Sequence, residues 1–514
     1  MPSLDRRRWS AIGLGGVLAA FVGLGALYAF TVPKFLPADE TSHVGYALTI
    51  GRGELPTLST PVPDEVPGLA LEYEIRREIY TANHPPLFYL PVAVPLRLGV
   101  ETGHPVLGFV AARLLTVALT AIGAVATWWT ARLLVPRRAD VAVLAAAIAV
   151  LLPAVPRFAG VVYNDGFALA VAATATAVTI RLLVLGPTPR RFAGVMAVAA
   201  MLALTRAVGI PAAFLVAAAT GVAVLLHGTR PLAARLGRAL GAGALVMVGA
   251  AAASGWFWLR SRRLYGDIAG SAYNLDRFGY GPRGTTAGLI TDLHWPMVFY
   301  RQLWGRIYDS AELAVGRGAL PGALFALLVA AGAVALVVRG ARGHGRPTFR
   351  DLAATDVATR GRLAGWCLVV AWIGLIYVST ISYVASGGGV HGRYLFPAIP
   401  AMALLTAAAI GALPGRGRGV AQAATVALLA ATGLVWAARF ADRLQPASSW
   451  WGSAMTSAAA TANGVPAGAV WLTIVVTVVA TAVVCVALVS LARVDAAAEV
   501  PVSEPQPPDG PGRR

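Results

Sequence analysis

Long unbroken apolar runs, separated by short polar or basic connections, recur along the whole chain, and no stretch alternates strictly between apolar and polar positions. The runs predict spanning helices over 10–32, 105–134, 139–157, 159–185, 190–206, 208–227, 237–259, 319–339, 363–385, 394–413, 419–438 and 469–492. A run of about 20 apolar residues crosses a hydrocarbon core of roughly 30 Å as a helix. Transmembrane strands require alternation instead, so a β-barrel is excluded. The predicted fold is all-α, a polytopic helical membrane protein with about twelve spanning helices. Segment 85–98 is apolar too, but it carries four prolines and is short for a crossing. It reads as an interfacial or re-entrant element within a large first outer loop.

Composition agrees with this pattern. Of 514 residues, 57% are hydrophobic and 13% charged, against roughly 25% charged in soluble domains. That excludes a soluble enzyme and a disordered chain. The only two cysteines, Cys367 and Cys485, lie within apolar runs, so neither a disulfide framework nor a thiolate metal site is available. A net charge of +18 would suggest nucleic acid in a soluble protein; in a membrane chain it is first divided between two sides. With twelve crossings, 23 of the 42 basic residues and 8 of the 24 acidic ones fall on one side, which the positive-inside rule makes cytoplasmic. A thirteenth crossing at 85–98 inverts that distribution. The expectation is a multi-pass plasma-membrane protein with both termini cytoplasmic, no nucleic-acid partner, and the lipid bilayer as its surroundings. The Arg6–Arg8 start and the run after it resemble a signal peptide, but the run is too long for a cleavable h-region and reads as a retained first helix.

One transmembrane domain, 1–492, then carries extracytoplasmic loops 33–104, 260–318 and 439–468. The tail 493–514, rich in Pro, Glu and Asp, is predicted to be disordered. The polar mass lies outside, so the chemistry is expected there. Ionisable groups near a membrane are functional-site hypotheses by default. Asp39, Glu40 and His43 follow the first helix. The two carboxylates can cap a short helix, or act as a general base or cation ligand at the membrane face. Asn164-Asp165-Gly166 can form a turn and cap the next helix, or place a second carboxylate outside. Arg206, alone between two apolar helices, can snorkel to the interface or grip a phosphate bidentately. Gly387-Gly-Gly-Val-His391-Gly-Arg393-Tyr394 precedes a helix and combines backbone N–H groups, a helix N-terminus and an arginine. It reads either as a phosphate site or as a flexible loop with an interfacial belt. His84, before two prolines, is held in extended backbone. Soluble-enzyme motifs such as a Walker A loop, H-E-x-x-H or G-x-S-x-G are absent, so ATP-driven transport has no support.

Five of these strings resemble, in order, those of the GT-C class of membrane glycosyltransferases, in the branch of protein O-mannosyltransferase-like and lipid A aminoarabinose transferase-like proteins and related bacterial families. They are Pro37-Ala-Asp39-Glu40-Thr-Ser-His43-Val-Gly-Tyr46, His84-Pro85-Pro86-Leu-Phe-Tyr89, Asn164-Asp165, Leu204-Thr205-Arg206 and Gly392-Arg393-Tyr394-Leu-Phe-Pro397. The resemblance implies a GT-C-like fold and transfer of a hexosyl or pentosyl group from a polyprenyl-phosphate donor to a glycan, lipid or protein acceptor in the cell envelope. It implies Asp39, Glu40 and Asp165 as catalytic carboxylates, and His43, His84, Arg206, His391, Arg393 and Tyr394 as substrate-binding groups. Many relatives carry lysine where this chain has Arg206. If a metal takes part, Mg²⁺ or Mn²⁺ on Asp39, Glu40 and Asp165 is implied. The competing readings are a lipid-linked glycan ligase or flippase, a secondary transporter, and an inactive scaffold that retains the fold. The two halves show no repeat, and the ionisable groups sit at the predicted outer rim, whereas transporter sites lie near the midplane. Convergence of Asp39, Asp165, Arg206 and Arg393 in one outward-facing site is what separates the enzyme from the rest.

Overall fold

The computed structural model of the chain describes residues 2–36, 39–63, 78–305, 319–342, 355–415, 417–444 and 450–499. The elements are α1 (Pro2–Thr31), α2 (Glu40–Gly51), a 3₁₀ turn (Tyr80–Asn83), α3 (Tyr89–Glu101), α4 (Pro105–Leu134), α5 (Ala139–Leu151), α6 (Ala154–Ala159), α7 (Asp165–Leu185), α8 (Pro189–Ala203), α9 (Gly209–His227) and α10 (Leu232–Tyr265). They continue with α11 (Ser271–Arg277), α12 (Thr286–Ile290), α13 (His294–Leu303), α14 (Ala319–Arg342), α15 (Val357–Ala385), a 3₁₀ segment (Gly392–Ala398), α16 (Ile399–Gly411), α17 (Gly417–Leu444), α18 (Trp451–Asn463) and α19 (Ala467–Glu499). Among the described residues there is no β-strand, only an isolated bridge between Pro61 and Glu78.

Ten of these helical stretches are long and apolar enough to cross a membrane. Many leave one apolar side uncovered by protein, with Leu240, Val248, Leu327, Val337 and Leu472 all exposed. Apolar area on that scale has no place in water and belongs against lipid. The other two predicted spans are shorter helices. Segment 139–157 divides at Leu152-Pro153, where α5 ends and the short α6 begins, because proline removes the N–H that would continue the ladder. Every residue of the 13-residue α5 is buried, so it is enclosed by protein and need not match the lipid thickness. Segment 190–206 becomes the 15-residue α8, which stops at Ala203. Segment 85–98 forms the 13-residue α3, with Leu90, Val94 and Leu98 exposed at four-residue spacing. That single apolar stripe is what an interfacial helix presents to lipid. α19 runs on to Glu499, past the predicted start of the tail at 493, and 500–514 lie outside the described residues.

α1 packs along α19, where added Cβ atoms on Gly16 and Gly23 would stand 3.2 Å from the Ala480 carbonyl and 3.0 Å from that of Thr473. Such small residues let backbones approach where no hydrophobic drive separates protein from lipid. Threonines inside the bundle, including Thr116, Thr120, Thr127 and Thr220, donate to the carbonyl four residues earlier. Their hydroxyls are thereby satisfied without water.

Two buried ionic networks mark opposite ends of the bundle. At one end Arg138 donates to Asp140 and to the Gly411 carbonyl, Gln422 donates to Asp140, and Arg418 donates to the Ala492 carbonyl. At the other, Arg113 in α4 joins Glu40 to the end of α1. The loops that hold the predicted site residues gather around this second end.

Candidate functional site

Four of the predicted residues form one continuous ionic chain. Arg393, on the 3₁₀ segment, donates from Nη2 to Asp39 Oδ2, and its Nη1 lies 3.4 Å from Asp165 Oδ2. Arg206 donates to the other oxygen of Asp165. The order Asp39–Arg393–Asp165–Arg206 therefore joins the first loop, the start of α7, the α8–α9 turn and the α15–α16 connection. Asp165 is only 1% exposed, whereas Arg206 and Asp39 are 14% and 25% exposed, so the chain opens at its two ends.

Local structure explains each placement. Asp39 precedes α2 but makes no side-chain capping bond. Its carboxylate instead accepts from Arg393 and, at 2.7 Å, from the Tyr80 hydroxyl, while its backbone N–H donates to the Tyr163 hydroxyl. Asn164 also fails to cap α7, and both polar atoms of its buried side chain lack a hydrogen-bond partner among the described residues. Arg206 sits in a turn closed by the Gly209 N–H on the Arg206 carbonyl, and a Cβ at Gly209 would collide with the Leu202 carbonyl at 1.8 Å. Only glycine permits that reversal. Beside Arg206 lies a shallow recess whose other lining includes Ala168, Val171, Leu202, Val208, Trp372, Ile376 and Pro397. It is an apolar groove with a guanidinium at its rim.

Aromatic rings enclose the cations. The Arg393 guanidinium carbon lies 4.8 Å from the Tyr163 ring centroid, 5.6 Å from that of Phe158 and 5.7 Å from that of Tyr394, which Arg206 also approaches at 5.7 Å. Ring faces attract cations, so Tyr394 helps to hold both arginines. The Arg393 Nε atom is buried without a partner among the described residues, which leaves one donor unspent.

The histidines form a neutral wall. His43 Nδ1 bonds the Tyr89 hydroxyl at 2.8 Å, its ring lies 4.9 Å from Tyr163, and it stacks on His84 at 6.3 Å. His391 stands edge-on to Tyr394 at 5.4 Å. Burial lowers the His43 pKa to about 3, with Arg393 and Arg206 adding to the effect and Asp39 opposing it. Burial and Arg206 hold His84 well below its ordinary value, and burial and Arg393 bring His391 to about 4. All three are uncharged at neutral pH. For Asp39, burial acts upward, but the Arg393 charge and the hydrogen bonds from Arg393 and Tyr80 outweigh it. Its carboxyl is held below the usual carboxylate range and is ionised.

Glu40 stands apart from this group. It is fully buried and accepts from Arg113 Nε (2.8 Å), Arg113 Nη2 (2.6 Å), Phe35 N–H (3.2 Å) and Val162 N–H (2.9 Å). Arg113 also donates to the carbonyls of Ala29, Val32 and Pro33. With every lone-pair direction engaged, Glu40 has nothing left for a substrate. It fastens the segment bearing Asp39 to the segment bearing Asp165. This disagrees with the expectation of a catalytic Glu40.

A cation shared by Asp39, Glu40 and Asp165 does not fit either. Glu40 faces away, and the Arg393 guanidinium stands between the two aspartates. Among the described residues no three His, Cys, Asp or Glu side chains converge as metal ligands would. In the triple-glycine loop the Gly387 and Gly388 N–H groups are spent on the Val384 and Tyr383 carbonyls, and the Gly392 N–H on Gln302.

Sequence reasoning missed Tyr80, Tyr163, Arg113 and Gln302. Arg113 was visible as a lone charge in an apolar run. Tyr80 and Tyr163 stand just before the His84 and Asn164 strings but carried no signal of their own, and Gln302 had none.

No family model matches the chain, and no curated protein matches it. Among solved structures the chain is similar to ArnT from Cupriavidus metallidurans bound to undecaprenyl phosphate, with 16% identity, a TM-score of 0.48, and coverage of 92% of this chain and 76% of that one. It is also similar to the same protein in the apo state, with 18% identity, a TM-score of 0.46, and coverage of 91% and 75%.

Proposed function

We propose that this chain is a GT-C-type membrane glycosyltransferase that moves a sugar from a polyprenyl-phosphate donor to an acceptor on the extracytoplasmic face. The observation that carries the reading is the ionic chain Asp39–Arg393–Asp165–Arg206, assembled from four distant segments at one end of a helical bundle. Two guanidiniums suit a phosphate that displaces Asp39 from Arg393, because Arg forms fork-like bonds to phosphate oxygens. The shallow recess at Arg206 is lined by apolar side chains, which is the kind of surface a prenyl tail lies against. The site lies at helix ends rather than at mid-bundle, which favours an interfacial enzyme over a transporter.

The chemistry follows from these positions. The acceptor hydroxyl attacks the anomeric carbon of the donor, and the C–O bond to phosphate breaks with its electron pair leaving on polyprenyl phosphate. Arg393 and Arg206 stabilise the negative charge that develops there, and Asp39 takes the hydroxyl proton. While Arg393 is bound to it, Asp39 is a weak base. When Arg393 turns to the phosphate, Asp39 loses its nearest cation and its basicity rises. Asp165, bonded to both arginines, keeps them side by side. His43, His84 and His391, being neutral, offer donors and acceptors to sugar hydroxyls without adding charge. Both termini lie on the cytoplasmic side in this reading, which reporter fusions at each end test.

The deciding experiment is transfer of labelled sugar from polyprenyl-phosphate hexoses and pentoses by membranes carrying the wild type or Asp39→Asn. General-base catalysis is worth about 10²–10⁴-fold, and a loss of that size with unchanged expression is expected. Equal transfer by both proteins removes Asp39 from catalysis. No transfer with any donor overturns the glycosyltransferase reading.

A further inference from the structure

The start of the Arg393 segment is held from outside the site by a side chain that neither the motifs nor the ionic chain includes. Gln302, near the end of α13, is 6% exposed. Its Nε2 donates to the Val390 carbonyl at 3.0 Å, and its Oε1 accepts from the Gly392 N–H. His391, between them, is extended at φ −129° and ψ 123°. In extended backbone the carbonyl of the preceding residue and the N–H of the following one point to the same side, so a single primary amide can occupy both, as a strand rung would. Gly392 makes the approach possible, since a Cβ there would sit 3.0 Å from Gln302 Cβ and 3.2 Å from the Phe299 carbonyl.

Gly392 is also the first residue of the 3₁₀ segment, and the Tyr394 N–H bonds the His391 carbonyl at 3.0 Å. Fixing 390–392 therefore sets where that segment begins and the direction in which Arg393 leaves it. The other end of the same loop is fixed from the same region of chain. Arg283 donates to the carbonyls of Val384, at 3.2 Å, and Gly388, and its backbone N–H donates to the Ala385 carbonyl at 2.9 Å.

We propose that Gln302 is a positioning residue for Arg393, so that α13, which lends no group to the ionic chain, sets the geometry of the arginine that the proposed function assigns to phosphate. The effect on ligand affinity rests on the function proposed above; the effect on the backbone does not. Two readouts separate them. Hydrogen exchange of the peptide covering 388–396 reports the pinning directly, and binding of undecaprenyl phosphate to the full-length protein in nanodiscs reports the function.

Gln302→Ala is expected to speed exchange at 390–393 by about tenfold or more and to weaken undecaprenyl phosphate binding by about tenfold, the net worth of a hydrogen bond or slightly more. Exchange elsewhere should stay unchanged, which distinguishes loss of the pin from general unfolding. Gln302→Glu gives a signature that packing alone does not. Its carboxylate can accept from Gly392 but cannot donate to Val390, whereas its protonated form does both. Its affinity relative to wild type should therefore recover as the pH falls. Unchanged exchange in Gln302→Ala, or faster exchange with full affinity retained, overturns the proposal. Faster exchange in a protein whose wild type binds no undecaprenyl phosphate supports the pinning and counts against the proposed function.

Discussion

Glu40 and Arg113 give the sharpest quantitative expectation, because the same residue was a candidate catalyst on sequence grounds. Both side chains are completely buried, and Glu40 accepts four hydrogen bonds, two from Arg113 and two from backbone N–H groups. Glu40→Gln replaces one acceptor oxygen by an NH₂ that must face other donors, and leaves the Arg113 charge without its anion. Breaking a buried pair in this way costs about 3–5 kcal/mol. Arg113→Met removes the cation and also strips donors from the Ala29, Val32 and Pro33 carbonyls, so a similar cost is expected. The two losses share one interaction. The double variant should cost about as much as the worse single one, which gives a coupling as large as the lesser single cost, about 3 kcal/mol, in a double-mutant cycle. Folded fraction against denaturant, read by size exclusion in detergent, measures it, with sugar transfer normalised to folded protein. Additive costs within about 0.5 kcal/mol refute the structural assignment. So does a Glu40→Gln protein that folds normally yet transfers nothing, which is what a catalytic Glu40 predicts.

Other expectations follow from the same geometry. Tyr80→Phe deletes the 2.7 Å donor to Asp39, so the Asp39 carboxyl rises toward its ordinary range and the acid limb of the transfer–pH profile moves to higher pH; an unmoved limb separates Tyr80 from Asp39. His43 and His391 titrate at about 3 and about 4 in the fold, against roughly 6.5 when unfolded. The unfolded chain therefore binds more protons between those values, and stability falls as the pH drops from about 6.5 toward 4; thermal stability that stays flat over that range rejects their burial as neutral groups. Arg393→Lys keeps one charge but cannot reach both Asp39 and Asp165, so, under the proposed function, affinity for a polyprenyl phosphate should fall by about tenfold or more, as equilibrium binding would register. Transfer should persist in excess chelator, since the three carboxylates do not present a shared cation site; loss of transfer restored by Mg²⁺ or Mn²⁺ would contradict that.

Much of the fold was legible because lipid imposes one rule at every position. Backbone polar groups inside a bilayer must be satisfied within the segment, so apolar length alone marks a spanning helix. The rule weakens where protein replaces lipid. α5 stops after 13 residues at a proline and is wholly enclosed, and nothing in its composition distinguishes enclosure from lipid contact. α3 was legible as a non-spanning element because its prolines and length both argue against a crossing. At the site, the four ionic partners were legible for the converse reason: a charge beside apolar helices is costly and needs a stated use. Their pairing was not, because Asp39 and Arg393 are 354 residues apart. Gln302 was invisible, since a neutral amide in a polar loop breaks no rule.

The difference between Asp39 and Glu40 shows how far adjacency in sequence can mislead. They are consecutive carboxylates at the start of one helix, and either could serve as a base by residue type. Their directions about the helix separate them. Glu40 turns inward to an arginine that has no solvent access and gives up all its acceptor capacity to four fixed donors. Asp39 turns toward a partly open cluster, accepts from two groups, and faces an arginine that another carboxylate already shares. Arg393 can therefore release Asp39 to a phosphate without leaving the cluster, because Asp165 still holds it. No comparable exchange is open to Arg113, whose remaining donors are spent on the carbonyls that end α1. One pair is closed on every side and the other keeps a second carboxylate in reserve, and under the proposed function that asymmetry, rather than residue type, favours Asp39 over Glu40 as the base.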